Sequence, residues 1–147
     1  MLNPDFKDIL SAFITEKVEF LVVGGYAMAF HGYVRATGDI DLWIRCSDAN
    51  AEKVWRALQT FGAPLFDLNI EDLKTLGIVF QIGLVPSRID VITQIDGVEF
   101  EAAWNEHKTV EMEGLKIPVI GKTQLLINKT STGRAKDRND ALWLQDE

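Results

Sequence analysis

The sequence predicts an α+β fold, in which helices pack on one face of a small mixed β-sheet and the chain ends in a helical hairpin. Segments with apolar residues at helical spacing alternate with short apolar runs of strand length. Turn residues join neighbouring runs, as at Glu113-Gly114. No repeat, low-complexity segment or linker interrupts the 147 residues, a length that suits one domain over residues 1–147.

Spacing and capping residues place the predicted helices. Pro4 fits the first position of a helix that runs to about Thr15, with apolar residues on one stripe. Asp48 is predicted to be the N-cap of a helix over residues 49–61, which Gly62 ends. The other predicted helices cover residues 26–30, 71–76, 100–107, 122–130 and 137–144.

Short apolar or alternating runs place the strands. The run FLVV at residues 20–23 has the length of one buried strand, and residues 39–45 alternate between apolar and polar side chains. Two pairs of strands follow, each joined by a turn. They are predicted at residues 78–82 and 88–93, and at residues 109–112 and 115–120.

Composition and charge narrow the classes of partner. A formal charge of −7 argues against a protein that binds extended duplex nucleic acid. The charge is uneven, because residues 121–138 carry a net +4 and the remainder −11. A small anionic ligand such as a nucleoside triphosphate (NTP), or a single RNA end, fits this distribution better than a duplex.

Cysteine content and hydropathy predict a cytoplasmic protein that does not enter a membrane. Cys46 is the single cysteine, so the chain forms no internal disulfide. Its first residues lack the long apolar core of a signal peptide. No apolar run approaches the length needed to cross a bilayer.

The stretch from residue 20 to residue 45 carries the most chemistry. Gly24 and Gly25 allow a tight turn that brings backbone N–H groups close to a ligand. Asp39 and Asp41 lie on one face of the following strand. Two neighbouring carboxylates repel each other unless a cation lies between them, and Mg²⁺ prefers such oxygen ligands. The alternative is a solvent-facing strand with alternating charge.

This pattern resembles the signature of the nucleotidyltransferase superfamily, which has the DNA polymerase beta-like fold. The signature is an apolar residue, Gly-Gly or Gly-Ser, a short helix and then Asp-x-Asp. The resemblance implies an enzyme that transfers a nucleoside monophosphate (NMP) from an NTP to an acceptor hydroxyl. Asp39 and Asp41 would hold two Mg²⁺ ions, for which Mn²⁺ is a substitute.

Asp90 is the candidate for the third carboxylate that a two-metal centre requires. In residues 88–93 it points to one face while Ile89 and Val91 point to the other. The family has its third acid in such a strand, where Asp90 would hold the ion nearest the nucleophile and accept its proton. The alternative is a polar residue on a solvent-facing strand.

Two longer motifs resemble a bacterial branch related to AbiEii-like and minimal nucleotidyltransferases. The first is Gly-Gly-x-Ala-x-x-x-His-Gly-x-x-Arg-x-Thr-x-Asp-x-Asp over residues 24–41, and the second covers residues 125–140. The branch implies that Lys129 and Asp137 serve the active site. A lysine beside the triphosphate would offset charge that develops on the phosphates. The alternative is a helical hairpin with Lys129 and Asp137 near the helix ends.

Nucleotide binding is assigned to backbone N–H groups at Gly24 and Gly25 and to the cations Arg35, Lys129 and Arg134. Arg35 has an equal alternative as a surface arginine on a loop.

Three further residues have mainly structural interpretations. His31 fits a helix C-cap or a hydrogen-bond partner of a core carbonyl, Asp140 fits a partner of Arg134 or Arg138, and Asp96 fits a turn. Trp43 shares the strand face of the aspartates and is a candidate wall of the nucleotide pocket.

A second functional class remains open. The chain could be a non-catalytic module with this fold that binds a protein partner, for example within a toxin–antitoxin pair. The presence of all three acids favours catalysis, whereas the small size favours dependence on a partner. A protein side chain, a tRNA 3′ end and a small molecule all remain candidate acceptors, because fold does not decide among them.

Overall fold

The computed structural model describes residues 2–33, 38–84 and 86–145. Within these ranges it has the predicted α+β fold. The elements in chain order are α1 (Pro4–Thr15), β1 (Phe20–Val23), α2 (Gly24–Phe30), β2 (Ile40–Ile44), α3 (Asp48–Phe61), a 3₁₀ helix (Ile70–Lys74), β3 (Val79–Ile82), β4 (Ile89–Ile92), α4 (Phe100–Asn105), β5 (Lys108–Met112), β6 (Leu115–Val119), α5 (Lys122–Ser131) and α6 (Ala135–Gln145).

The strands form one mixed sheet in the order β3-β4-β2-β1-β6-β5. Strand β2 is parallel to β4 and antiparallel to β1, while β1 is parallel to β6. Strands β3 and β5 are the edges, each antiparallel to its neighbour. In this register Asp41 of β2 lies opposite Val23 of β1 on one side and opposite Asp90 of β4 on the other.

Helices α1 and α3 pack against each other and form the main helical layer. Phe13 of α1 contacts Phe20 of β1 edge-on, with ring centroids 5.2 Å apart. Phe20 is paired with Ile44, so this face is the one that carries the alternate side chains of β2. On the opposite face Trp43 contacts Phe100 of α4, with ring centroids 5.0 Å apart. That face also carries Asp41.

The start of α3 differs by one residue from the prediction. Ser47 is the N-cap, in an extended conformation, and its Oγ accepts a hydrogen bond from the Asn50 N–H at 3.2 Å. Asp48 is therefore the first helical residue, and the prediction that it caps the helix was wrong. An acid in the first turn still interacts favourably with the helix dipole. The predicted end is correct, because Gly62 adopts the left-handed C-cap conformation.

Two C-terminal predictions are confirmed. Strands β5 and β6 form a hairpin whose turn residues Glu113 and Gly114 both have positive φ, at 51° and 82°. Helices α5 and α6 then pack together as the predicted helical hairpin. Among the described residues, every helix is too short or too polar to traverse a bilayer.

Candidate active site

Asp41 and Asp90 meet at the centre of the sheet. They lie directly opposite each other on the parallel strands β2 and β4. Neighbouring strands are about 4.8 Å apart, so the two carboxylates share one face at close range. Asp90 is buried and Asp41 is half-buried. The strand alternation predicted this shared face, and the register adds that the two acids face each other directly.

Burial and crowding by acids raise the pKa of Asp41 to about 6. Loss of hydration is the largest cause, followed by the charges of Asp90 and Asp39 and a hydrogen bond to the Asp90 side chain. The charge of Lys129 acts in the opposite direction. Negative charge is therefore crowded around the Asp41 carboxylate, an electrostatic condition that a bound cation relieves.

Gly24 brings the backbone against the Asp41 carboxylate. It has φ +70°, and a Cβ at this position would overlap Oδ2 of Asp41. Gly25 follows in the first turn of α2, where no side chain caps the helix N-terminus. At the other end of α2, His31 is the C-cap and its Nε2 hydrogen-bonds to the Ile120 carbonyl oxygen at 2.7 Å. These are the two structural roles considered for His31.

Arg88 connects Asp39 to Asp90. Its Nε donates to Asp90 Oδ1 at 2.7 Å and its Nη2 donates to Asp90 Oδ2 at 3.1 Å. Nη2 also lies 3.3 Å from Asp39 Oδ2, and the Arg88 backbone N–H donates to Asp39 Oδ1 at 3.0 Å. Arg88 was not predicted as a site residue from the sequence, although it precedes Asp90 by two residues and so lies on the same side of an extended chain.

A second charged cluster lies in the α5–α6 hairpin. Lys129 is buried and its Nζ lies 3.0 Å from Asp137 Oδ1 and 3.1 Å from Asp140 Oδ2. The other Asp137 oxygen accepts hydrogen bonds from Thr132 Oγ1 at 2.7 Å and Arg134 Nε at 2.6 Å. The sequence pattern suggested arginine partners for Asp140, whereas the structure pairs it with Lys129.

Asp137 responds to its surroundings in the opposite direction from Asp41. Burial alone would raise the pKa of Asp137. Hydrogen bonds from Thr132 and Lys129, together with the Lys129 charge, outweigh that effect and lower the pKa below its usual value. Asp137 is therefore an ionised, fully hydrogen-bonded anchor that holds Lys129 in place.

A cavity of about 490 Å³ connects the two clusters. Its lining includes four residues predicted for the site, together with polar side chains from α5 and the residue that follows it. Six of the residues that line it are Gly24, Asp41, Asn128, Lys129, Thr132 and Arg134. Three other predicted site residues do not line this cavity. Asp39 and Gly25 are close in sequence to the lining residues Asp41 and Gly24, and Asp90 is paired with Asp41. The predicted phosphate ligand Arg35 lies outside the described residues.

A second cavity, of about 350 Å³, adjoins the first and shares Gln94 with it. Trp43 and Phe100 line it together with Glu99 and Glu101. Trp43 thus walls this neighbouring cavity, two residues along β2 from Asp41. The Trp43 indole Nε1 is buried and has no hydrogen-bond partner among the described residues.

Asp39, Asp41 and Asp90 supply only oxygen donors, which suit Mg²⁺ or Mn²⁺. Among the described residues, no group of three or more His, Cys, Asp or Glu side chains is arranged to hold a metal ion. Both oxygens of Asp39 and both oxygens of Asp90 contact Arg88, through its guanidinium or its backbone N–H.

Comparisons with known proteins identify the fold. No protein-family model matches the sequence, and no curated protein matches it either. Two of the solved structures that match do so over nearly their full length. The first is the Thermotoga maritima protein TM1012, provisionally assigned as a nucleotidyltransferase, with 18% identity, a TM-score of 0.63 and coverage of 100% of this chain and 97% of that one. This chain has the nucleotidyltransferase fold.

The second similar structure is the lincosamide antibiotic adenylyltransferase LnuA with bound lincomycin. It is 17% identical with a TM-score of 0.60, and the match covers 99% of this chain and 97% of LnuA. At this identity the likeness concerns the fold. The nucleotidyltransferase fold expected from the resemblance is thereby confirmed, whereas the AbiEii-like branch stays a prediction.

Proposed function

We propose that this protein is a metal-dependent nucleotidyltransferase that transfers an NMP from an NTP to an acceptor hydroxyl. One observation carries the proposal. Asp41, which faces Asp90 across two parallel strands, lines a cavity that Gly24, Lys129 and Arg134 also line. A phosphoryl-transfer site needs this combination, because carboxylates hold the cations and positive groups offset the charge on the phosphates.

The carboxylates of Asp39, Asp41 and Asp90 would hold two Mg²⁺ ions, with Mn²⁺ as a substitute. Bound ions would polarise the phosphoryl oxygens and offset charge on the attacking and leaving oxygens. Burial raises the pKa of Asp41 most and the neighbouring acids Asp90 and Asp39 raise it further, so an added cation would be favoured beside its carboxylate.

The triphosphate would lie along the opposite wall of the 490 Å³ cavity. Arg134 has a side chain that is 73% exposed and retains donors beyond its bond to Asp137. Ion pairs with Asp137 and Asp140 fix the Lys129 side chain, so it contributes a positively charged group in a set position. The backbone N–H of Gly24, which lines the cavity, and that of Gly25, the next residue of α2, would complete the phosphate contacts on the Asp41 side.

Transfer follows from this arrangement. The acceptor oxygen forms a bond to the α-phosphorus as the bond to the departing pyrophosphate oxygen breaks, and the acceptor loses its proton. Asp90 is the proposed proton acceptor, because it lies opposite Asp41 on the same face of the sheet; its oxygens, which bind Arg88 in this structure, would have to be released from the guanidinium first. Lys129 and Arg134 offset the negative charge of the pyrophosphate.

The acceptor would occupy the 350 Å³ cavity beside Gln94. This volume suits a small molecule, and its aromatic residues Trp43 and Phe100 suit an apolar surface. Glu99 and Glu101 disfavour a polyanionic RNA end at the same place. A small hydroxylated molecule is therefore the favoured acceptor class.

The test is transfer of label from α-³²P-labelled NTPs in the presence of Mg²⁺ and cell extract. Wild type is compared at matched folded concentration with Asp39→Asn plus Asp41→Asn, a neutral isostere pair that preserves shape. An enzyme would lose essentially all transfer. Retention of biological activity by the double variant would instead support a non-catalytic partner-binding module, as in a toxin–antitoxin pair.

A further inference from the structure

Arg88 and Asp39 occupy equivalent positions at the starts of two paired strands. Asp39 directly precedes β2 and Arg88 directly precedes β4, and the first residues of these strands, Ile40 and Ile89, are paired in parallel. The Ile40 N–H donates to the Arg88 carbonyl oxygen at 3.0 Å. The register of the sheet therefore places the Arg88 side chain beside the acids at this end of the strands.

The Arg88 guanidinium binds Asp90 through two parallel donors, which is the geometry of a bidentate pair. The two bonds measure 2.7 and 3.1 Å, and the same Nη2 lies 3.3 Å from Asp39. The side chain of Asp90 is only 11% exposed, so solvent screens the pair weakly. Such charge-assisted, bidentate bonds are among the strong ones in proteins.

A divalent cation and this guanidinium need the same carboxylate oxygens. Mg²⁺ requires its ligands at about 2.0–2.1 Å in near-octahedral geometry, which leaves no room for a guanidinium fork on the same edge of a carboxylate. In the structure both Asp90 oxygens and one Asp39 oxygen are in contact with the Arg88 guanidinium.

We propose that Arg88 is the built-in counter-ion of the acidic site, and that a divalent cation binds Asp39 and Asp90 only by displacing the Arg88 guanidinium. This inference rests on the proposed cation site. It assigns Arg88 as a positioning residue that keeps the acids paired before loading and sets the affinity of the site for the ion. Removing the guanidinium fork should therefore tighten metal binding.

The experiment measures Mn²⁺ binding to the whole chain without nucleotide, from the electron paramagnetic resonance signal of the free ion. Arg88→Gln removes charge and fork, whereas Arg88→Lys keeps the charge and loses the fork. Both variants are expected to bind Mn²⁺ about tenfold more tightly than wild type, since one strong ionic hydrogen-bond pair corresponds to at least this factor. Arg56→Gln, an exposed arginine paired with Glu16, should match wild type.

The other outcomes separate this inference from the proposed function. Tighter binding by Arg88→Gln alone would indicate a long-range charge effect and overturn displacement. Unchanged binding in both variants, with binding lost in Asp41→Asn, would overturn the role of Arg88 and leave the cation site standing. No Mn²⁺ binding by any of these proteins would overturn both. If Arg88→Gln unfolds in chelator, the Mn²⁺ concentration that refolds it measures how tightly the ion binds without the guanidinium. In that case, Mn²⁺ binding by Arg88→Lys equal to that of wild type would overturn the displacement of Arg88.

Discussion

Two acidic regions of this molecule use the same residue type in opposite ways. In the sheet, Asp41 faces Asp90 and its pKa rises to about 6. In the helical hairpin, Asp137 is buried as well, yet its pKa falls because Lys129, Thr132 and Arg134 bind it. Burial raises the pKa of both carboxylates. The neighbouring acids raise that of Asp41 further, whereas hydrogen bonds and the Lys129 charge outweigh burial at Asp137.

The comparison distinguishes a cluster whose charges and hydrogen bonds are paired within the protein from a cluster whose carboxylates remain crowded. The hairpin cluster is complete within the protein, so it acts as a scaffold that sets the position of Lys129. The acids of the sheet have Arg88 as their direct cationic partner and remain crowded around Asp41. A positively charged ligand would therefore gain the most binding free energy beside the acids of the sheet, and a negatively charged ligand would gain the most beside the hairpin.

The largest expected effect comes from breaking the satisfied cluster. Asp137→Ala leaves buried Lys129 with Asp140 as its remaining carboxylate partner and removes the acceptor of Thr132 and Arg134. We expect the free energy of unfolding to fall by about 3–5 kcal/mol, as for other broken buried pairs. Urea unfolding followed by circular dichroism measures it, with exposed Glu52→Gln as the control. A loss similar to that of the control would show that the cluster does not stabilise the fold.

Gly24→Ala tests the close approach to the acid of the sheet. The substitution forces φ +70° on a residue with a Cβ, and that Cβ overlaps Asp41 Oδ2. We expect a loss of about 2–4 kcal/mol from backbone strain and overlap together.

Gly62→Ala is the matched control for this substitution. Gly62 has φ +91°, but a Cβ added there would meet no atom within 4 Å, so only strain of about 1 kcal/mol applies. Equal losses in the two variants would mean that contact with Asp41 adds nothing.

Asp41→Asn should stabilise the protein when chelator removes metal. The folded-state pKa of Asp41 is about 6 against an ordinary 3.8, so its charged form is disfavoured in the fold. This penalty is fully present above pH 6 and disappears below the ordinary pKa. At neutral pH the variant should gain about 1–3 kcal/mol, with no gain in strong acid.

Thermal unfolding of wild type and Asp41→Asn across pH measures this difference, with exposed Asp67→Asn as control. Added Mg²⁺ or Mn²⁺ should then raise the melting temperature of wild type and not that of Asp41→Asn, because an ion that binds only the folded state stabilises it. A variant less stable than wild type at neutral pH in chelator would contradict the crowding of the acids.

Arg134→Gln should have the smallest effect on stability and a clear effect on nucleotide binding. Its side chain is 73% exposed, so its pair with Asp137 contributes at most about 1 kcal/mol. ATP affinity should fall by roughly threefold to tenfold with loss of a charge-assisted phosphate contact.

Titration calorimetry compares this variant with Arg138→Gln. Arg138 donates to the Gly133 carbonyl oxygen and does not line the 490 Å³ cavity. Equal ATP affinity in both variants and in wild type would show that Arg134 does not contact the triphosphate. Lys129 is a poorer probe, since its removal would leave buried Asp137 and Asp140 without their shared cation.

Three features that were missed or wrongly predicted from the sequence have specific physical causes. Ser47 and Asp48 are adjacent residues that both suit an N-cap, and only the observed extended backbone at Ser47 selects it. Arg88 carries the alternation signal of Asp90, but its contact with Asp39 depends on how β2 and β4 pair. The pairing of Asp140 with Lys129 depends on the packing of α5 against α6.

The sequence by itself determined the α+β fold class, the order of its elements and the face that Asp41 and Asp90 share. Helical spacing, strand alternation and glycine turns act over a few residues, so they can be interpreted without the fold. Tertiary structure alone decided that Asp41 is crowded while Asp137 is satisfied, and that Arg88 occupies the acids. These properties depend on strand register, on helix packing and on the positions of individual side chains, and electrostatic energy changes steeply over a few ångströms.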